Sequence, residues 1–309
     1  MRILTLDYRK YTSGEVWLTR VLSKCFPNAK IIKTAVPVGD PPPVDYAIVL
    51  VNPTALTLGD PVGVYTFFKR LKTIAILVTE GPVSSEGKML ISAFSTPLAL
   101  SDYVKHKTGV EHVIRPKIDV PENVPPKSSR VFDIISVISN VGTVWRYRKG
   151  IDIVEKVIES IDASIATSNY GDVKKPKGTF FSFALSDYHL DRMYKHSKVL
   201  LWPSRSEGFG LPVIEAMAVG TVPVCSDAPA HNEFCEGVKI STTYLGSFAL
   251  DPKYPKYKAD WYDSCWEDYV KGIYYALEHW EELSERARKK VVDEYSPLSS
   301  FCEELKSWM

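Results

Sequence analysis

Two carboxylates, Glu207 and Glu215, flank a turn-and-helix pattern in Pro203-Ser-Arg-Ser-Glu-Gly-Phe-Gly-Leu-Pro-Val-Ile-Glu-Ala-Met-Ala-Val-Gly-Thr-Val-Pro-Val-Cys-Ser-Asp227. A carboxylate only accepts hydrogen bonds and can take two at once, which suits the vicinal hydroxyls of a ribose or hexose. Gly208 and Gly210 let the backbone turn tightly and approach a ligand, and Pro212 suits the first position of a helix. The free N–H groups at such a helix start attract anions. The run follows the apolar stretch Val199–Trp202, so it falls at the carboxyl end of a sheet, where open α/β folds bind ligands. By themselves, two glycines and two glutamates fit a glycine-rich helix start with surface glutamates equally well.

The elements that would position these residues read as an α/β protein. Short runs of Ile, Val and Leu alternate with helix-period segments, the pattern of a parallel sheet covered on both faces. Strands are expected at Arg2–Leu6, Lys30–Lys33, Tyr46–Val51, Ile74–Val78 and Leu98–Leu100, with an extra edge near Val113–Arg115. The clearest helix runs from Gly14 to Cys25 behind Ser13 as a cap. The segment from Val120 to Ser129 holds Pro121, Pro125 and Pro126 and cannot be helix. It divides the chain into domains at 1–125 and 126–309. After it the alternation restarts, with strands at Val131–Ser139, Ala163–Thr167, Thr179–Phe183, Val199–Trp202 and Val222–Ser226. Helices are expected at Gly150–Ser160, Tyr188–Lys195 and Pro212–Val219. The aromatics between Trp261 and Trp280 recur at helical spacing and read as packing.

The segment from Glu207 to Val224 closely resembles the signature of the family 4 (group 1) retaining glycosyltransferases, in which two glutamates are separated by seven residues. Leu190 to Ser204 resembles the helix and strand leading into that signature, and Asp227 with Glu233 fits the loop after it. Leu100 to Lys105 and Val113 to Asp119 resemble the end of the family's N-terminal domain. The resemblance implies the GT-B architecture, two Rossmann-like doubly wound domains facing each other across a cleft. The last helices, Glu281 to Tyr295 and Leu298 to Met309, would pack back on the first domain.

It further implies transfer of a hexose-type sugar from a nucleotide-sugar, a UDP- or GDP-sugar, to an acceptor with retention at the anomeric carbon. Glu207 would contact the transferred sugar, Gly208, Phe209, Gly210 and Leu211 would offer backbone N–H groups, and Glu215 would hold the ribose. Cleaving the bond to a nucleotide needs cations for the departing diphosphate. Arg146, Arg148 and Lys149 supply them between a strand and a helix, and Lys149-Gly150 matches the family's Lys-Gly pair. The family arginine directly follows a glycine, a position held here by Thr143. Tyr11, Thr12, Ser13 and Gly14 stand where the family has a glycine-rich loop facing donor phosphates and acceptor, and a second glycine is missing. Glu80 replaces a family histidine that reaches the donor sugar.

Other classes find less support. A net charge of +1 on 309 residues argues against nucleic-acid binding, and the slight basic excess of residues 1–125 reads as a solvated face. Histidine spacing shows no metal-ligand pattern, so no cofactor or metal is expected. The five cysteines, Cys25, Cys225, Cys235, Cys265 and Cys302, are widely spaced and read as reduced thiols of a cytoplasmic protein. His231 reads as an exposed loop histidine. No apolar run reaches membrane-span length, though peripheral membrane contact stays open. The alternative readings are a degenerate, noncatalytic nucleotide-sugar binding protein and a nucleotide-sugar epimerase of the same fold. The acceptor and the oligomeric state are not specified by the sequence.

Overall fold

The apolar runs fold as parallel strands. A computed structural model describes residues 1–6, 13–35, 37–137, 147–163, 165–168, 179–181 and 187–309, with the side chains of 13–16, 165–168, 179–181 and 187 excepted. The first half runs β1 (Arg2–Leu6), α1 (Ser13–Cys25), β2 (Lys30–Thr34), β3 (Tyr46–Val51), α2 (Pro53–Leu56), α3 (Pro61–Lys69), β4 (Thr73–Leu77), α4 (Ser85–Ile91), β5 (Thr96–Ala99) and α5 (Asp102–Thr108). Then come β6 (Phe132–Val137), α6 (Ile151–Ser160), β7 (Ile165–Ser168), β8 (Thr179–Phe181), α7 (Asp187–Lys195) and β9 (Ser197–Trp202). These lead to α8 (Leu211–Ala218), β10 (Val222–Ser226), α9 (Pro229–Phe234), β11 (Val238–Ile240), β12 (Thr243–Ala249) and β13 (Lys258–Asp263). The chain closes with α10 (Trp266–Glu278), α11 (Trp280–Glu294) and α12 (Leu298–Ser307).

Two compact units result. The first comprises Met1–Lys117 with Ser247–Ala259 and Pro297–Met309, and the second Ile118–Gly246 with Asp260–Ser296. The division comes earlier than the one expected at residue 125. Its cause is that the Ile118 N–H donates to the Tyr295 carbonyl at 2.8 Å and the Pro121 carbonyl accepts from Arg288 at 2.6 Å. Both bonds fix the proline-rich segment to the second unit. Of the two last helices, α12 groups with the first unit and α11 with the second.

In the first unit the strand order is β2-β1-β3-β4-β5, all parallel. Residues of β3 and β4 are buried on both faces, which explains their unbroken apolar sequence. Helix starts rest on short polar side chains: Asn52, Asp60, Ser84 and Ser101 each accept from a backbone N–H in the first turn. The expected edge near Val113 is reduced to a single parallel bridge with Ala99.

α12 packs on α1, with the Trp17 and Phe301 rings edge to face at 5.5 Å. Beside them Cys25 and Cys302 form a disulfide, their Cα atoms 5.0 Å apart. Cys225 and Cys235 pair in the second unit, and Cys265 is free and exposed. This corrects the reading of reduced thiols and removes its argument for a reducing compartment. Sequence spacing could not show the pairing, because 277 residues separate Cys25 from Cys302.

The second unit has the order β11-β10-β9-β6-β7-β8, again parallel throughout. Its core gathers α6, α10 and α11 against β6, β9 and β10. Trp261, Tyr269 and Trp280 are buried, so they pack as expected, whereas Tyr274 and Tyr275 are half exposed.

One arginine organises the underside of this unit. Arg130, buried, donates to the carbonyls of Pro125, Tyr194, Ser197 and Val219 and to the Thr221 hydroxyl, and its guanidinium lies 4.8 Å from the Trp280 ring. Tyr194 and Val219 end α7 and α8, so the guanidinium satisfies carbonyls that a helix leaves without partners. Burial pushes its pKa down to about 10, which leaves it charged at neutral pH. Arg130→Met should lower stability by about 3 kcal/mol, because several buried carbonyls lose their donor together. Urea unfolding would show it as a lower midpoint at unchanged slope.

Candidate donor site in the second unit

The strand order of the second unit reverses between β6 and β9, and their carboxyl ends mark the switch point where such sheets bind ligands. The loop after β9, residues 203–210, lies there against residues 147–150. The Arg205 N–H donates to the Arg148 carbonyl at 2.8 Å, and the Ser204 hydroxyl lies 3.3 Å from the same oxygen. Gly150 has a φ of 68°, the left-handed region, and a Cβ there would strike the Pro203 carbonyl. The glycine of the Lys-Gly pair is therefore required by this close approach of two loops.

These loops bring Glu207, Lys149 and Arg148 together. Lys149 Nζ donates to one oxygen of Glu207, Arg148 Nη1 lies 3.4 Å from the other, and the Ser204 hydroxyl donates at 2.8 Å to the first. Arg148 also donates to the Ser206 carbonyl at 2.6 Å, and Lys149 sits 5.1 Å from the centre of the Trp202 ring. Glu207 is only 9% exposed. Burial, the largest influence, pushes its pKa up, but the charges of Lys149 and then Arg148 pull the other way and the carboxyl is held down at about 2. Glu207 is thus an anion at any physiological pH.

Behind the cluster Arg205 acts as a clasp. It forms a bidentate pair with Asp152 at 2.7 and 2.8 Å, a bond to Asp263 at 2.7 Å and a bond to the Tyr147 carbonyl at 2.7 Å. Tyr147 stacks over its guanidinium at 3.8 Å and against Trp261 at 5.2 Å. Sequence reading missed Arg205 because Asp152 and Asp263 are far away along the chain. Ser204, Ser226 and His231 were missed as well. His231 is completely buried, against the expectation of an exposed loop histidine, because α9 folds it inward beside Phe234.

The remaining expected residues fall as follows. Gly210 precedes α8, Leu211 opens it, and Pro212 stands at its second position. Phe209 is buried against Phe234 and Tyr295 at 4.7 and 6.1 Å, so its ring anchors the loop in the core. Glu215 is partly buried on α8. In the first unit Ser13 and Gly14 begin α1, and Glu80 follows β4, accepting from Asn52 Nδ2 at 3.0 Å. Arg146 and Thr143 lie outside the described residues, as do Tyr11 and Thr12. Among the described residues no group of three or more His, Cys, Asp or Glu is arranged to hold a metal, and no helix is long and apolar enough to cross a membrane.

Two parallel doubly wound units of this kind define the GT-B fold. The protein HepE from Anabaena, solved in complex with UDP and glucose, superposes with a TM-score of 0.71 over 99% of this chain and 98% of its own at 11% identity. Residues 172–239 match the family described as Glycosyl transferases group 1. Two viral proteins with provisional names are similar in sequence. Glycosyltransferase 41 of Sulfolobus islandicus filamentous virus is 30% identical over 47% of this chain and 44% of its own length. Glycosyltransferase ORF330 of Acidianus filamentous virus 2 is 26% identical over 62% of this chain and 59% of its own. The chain therefore spans about half the length of the curated relatives it matches.

Proposed function

We propose that the chain is a retaining glycosyltransferase that moves a hexose-type sugar from a nucleotide-sugar to an acceptor without a metal. The observation that carries this reading is Glu207, a buried carboxylate held between Lys149 and Arg148 at the switch point of the second unit. The match of residues 172–239 to group 1 glycosyl transferases supports it. So does the UDP bound to the structural neighbour HepE, which favours a nucleotide-sugar donor here.

Each group has a task in the reaction. The bond from the anomeric carbon to the diphosphate oxygen breaks with its electron pair going to that oxygen, one from that carbon to the acceptor oxygen forms, and the acceptor's hydroxyl proton passes to the departing diphosphate. Negative charge grows on the departing diphosphate, and Lys149 and Arg148, with Arg146, are the cations that stabilise it. The backbone of Gly208, Phe209, Gly210 and Leu211 at the start of α8 adds N–H donors for the phosphates. Glu207 accepts from a hydroxyl of the transferred sugar, and Glu215 accepts from the ribose.

Thermal melting against UDP, GDP, ADP and their sugar conjugates tests the donor assignment. Ligand at about 100 times Kd should stabilise the native state by about 2.7 kcal/mol. One base should raise the midpoint, and Lys149→Ala and Glu215→Ala should each shrink that shift. A panel in which no nucleotide moves the midpoint would refute the assignment.

A further inference from the structure

We propose that His231 is a positioning residue for Glu207, acting through Ser226 and Ser204, an inference that rests on Glu207 being the donor-site carboxylate. The three side chains form a directed chain of hydrogen bonds. His231 Nδ1 lies 2.7 Å from the Ser226 hydroxyl oxygen and 3.1 Å from the Ser226 carbonyl. The Ser226 hydroxyl donates to the Ser204 carbonyl at 2.6 Å, and the Ser204 hydroxyl donates to Glu207 Oε1 at 2.8 Å.

The direction follows from proton counting. A hydroxyl has one proton, and Ser226 spends its own on the Ser204 carbonyl, so it can only accept from His231. The Ser226 carbonyl is likewise an acceptor. The imidazole proton must therefore sit on Nδ1, and Nε2 keeps its lone pair. Nε2 is fully buried and has no hydrogen-bond partner among the described residues.

That unpaired nitrogen separates this role from packing. Leaving a polar atom buried without a partner destabilises the fold, and an apolar side chain beside Phe234 would avoid the penalty. What an apolar side chain cannot supply is the Nδ1 proton that orients the Ser226 hydroxyl. Without it the Ser226 hydroxyl is positioned by Tyr269 and the Ser204 carbonyl alone, and the turn that aims Ser204 and Glu207 loosens. The ring stays neutral: burial first, then Lys149 and Arg148, push its pKa down to about 4 against the opposing pull of Glu207. A neutral ring leaves the paired charges around Glu207 undisturbed.

The test compares three substitutions. The side-chain amide nitrogen of His231→Asn can stand near the Nδ1 position, that of His231→Gln near Nε2, and His231→Leu removes both. His231→Asn should keep kcat within about threefold of wild type. The other two should lose about tenfold or more in kcat, with the Kd for nucleoside diphosphate within about twofold, since misplacing a reacting group slows chemistry more than binding. Wild-type kcat in His231→Leu, or equal loss in His231→Asn and His231→Leu, would overturn the proposal. Nitrogen-15 NMR gives a readout that needs no turnover. The wild-type ring should show the Nδ1–H tautomer, whereas an Nε2–H tautomer would overturn the chain. A protein that turns over no donor yet shows the Nδ1–H tautomer would refute the functional reading, not the geometry.

Discussion

A Glu207→Gln protein is expected to bind nucleoside diphosphate more tightly than wild type while losing turnover. In this structure Glu207 is the anion that Lys149 and Arg148 contact, so an arriving diphosphate must compete with it for both cations. Glutamine keeps the shape and an oxygen for Ser204 but drops the charge. Releasing two cations from an internal anion should tighten binding by several-fold, on the order of 1 kcal/mol for partly buried pairs. Turnover should fall by about 100- to 1,000-fold, the usual cost of removing one preorganised electrostatic group. Titration calorimetry with UDP and GDP, alongside donor turnover, checks both halves. Parallel loss of affinity and turnover would show that Glu207 holds the nucleotide directly and does not compete with it.

The second large effect concerns stability. Breaking the Cys25–Cys302 bond by Cys25→Ser should lower the melting midpoint by about 10 °C. Closing so long a loop is worth roughly 5 to 6 kcal/mol in the chain-entropy account, and each kcal/mol shifts the midpoint of a chain this size by roughly 2 °C. α1 and α12 lie at opposite ends of the sequence, so without the bond only packing such as the Trp17–Phe301 contact holds them together. Calorimetry of Cys25→Ser beside wild type decides it. An unchanged midpoint would mean that this packing suffices.

The parts of the molecule that sequence revealed are those encoded locally. Runs such as Tyr46–Val51 and Val222–Ser226 are apolar without alternation, and only a strand covered on both faces demands that. The turn from Glu207 to Gly210 and the helix start behind it could be read because the glycines and Pro212 lie within a few residues of one another. The Arg205 clasp, the Arg130 staple and the path from His231 to Glu207 stayed hidden for the opposite reason. Arg205 has an ordinary sequence environment, and its meaning arises only when Asp152 and Asp263 arrive from α6 and β13. Arg130 stands at the end of a proline-rich stretch that reads as solvent-exposed linker, yet three loop and helix ends converge on it. His231 looks like a loop residue until α9 turns it toward Ser226.

The most direct test of the central claim is release of nucleoside diphosphate from a panel of UDP-, GDP- and ADP-sugars by the purified wild-type chain, followed over hours without added acceptor. Slow hydrolysis of one donor class, lost in Glu207→Gln and Lys149→Ala, is the expected result. A folded protein that releases none, or whose hydrolysis survives both substitutions, would contradict the assignment of the Glu207 cluster as the donor site.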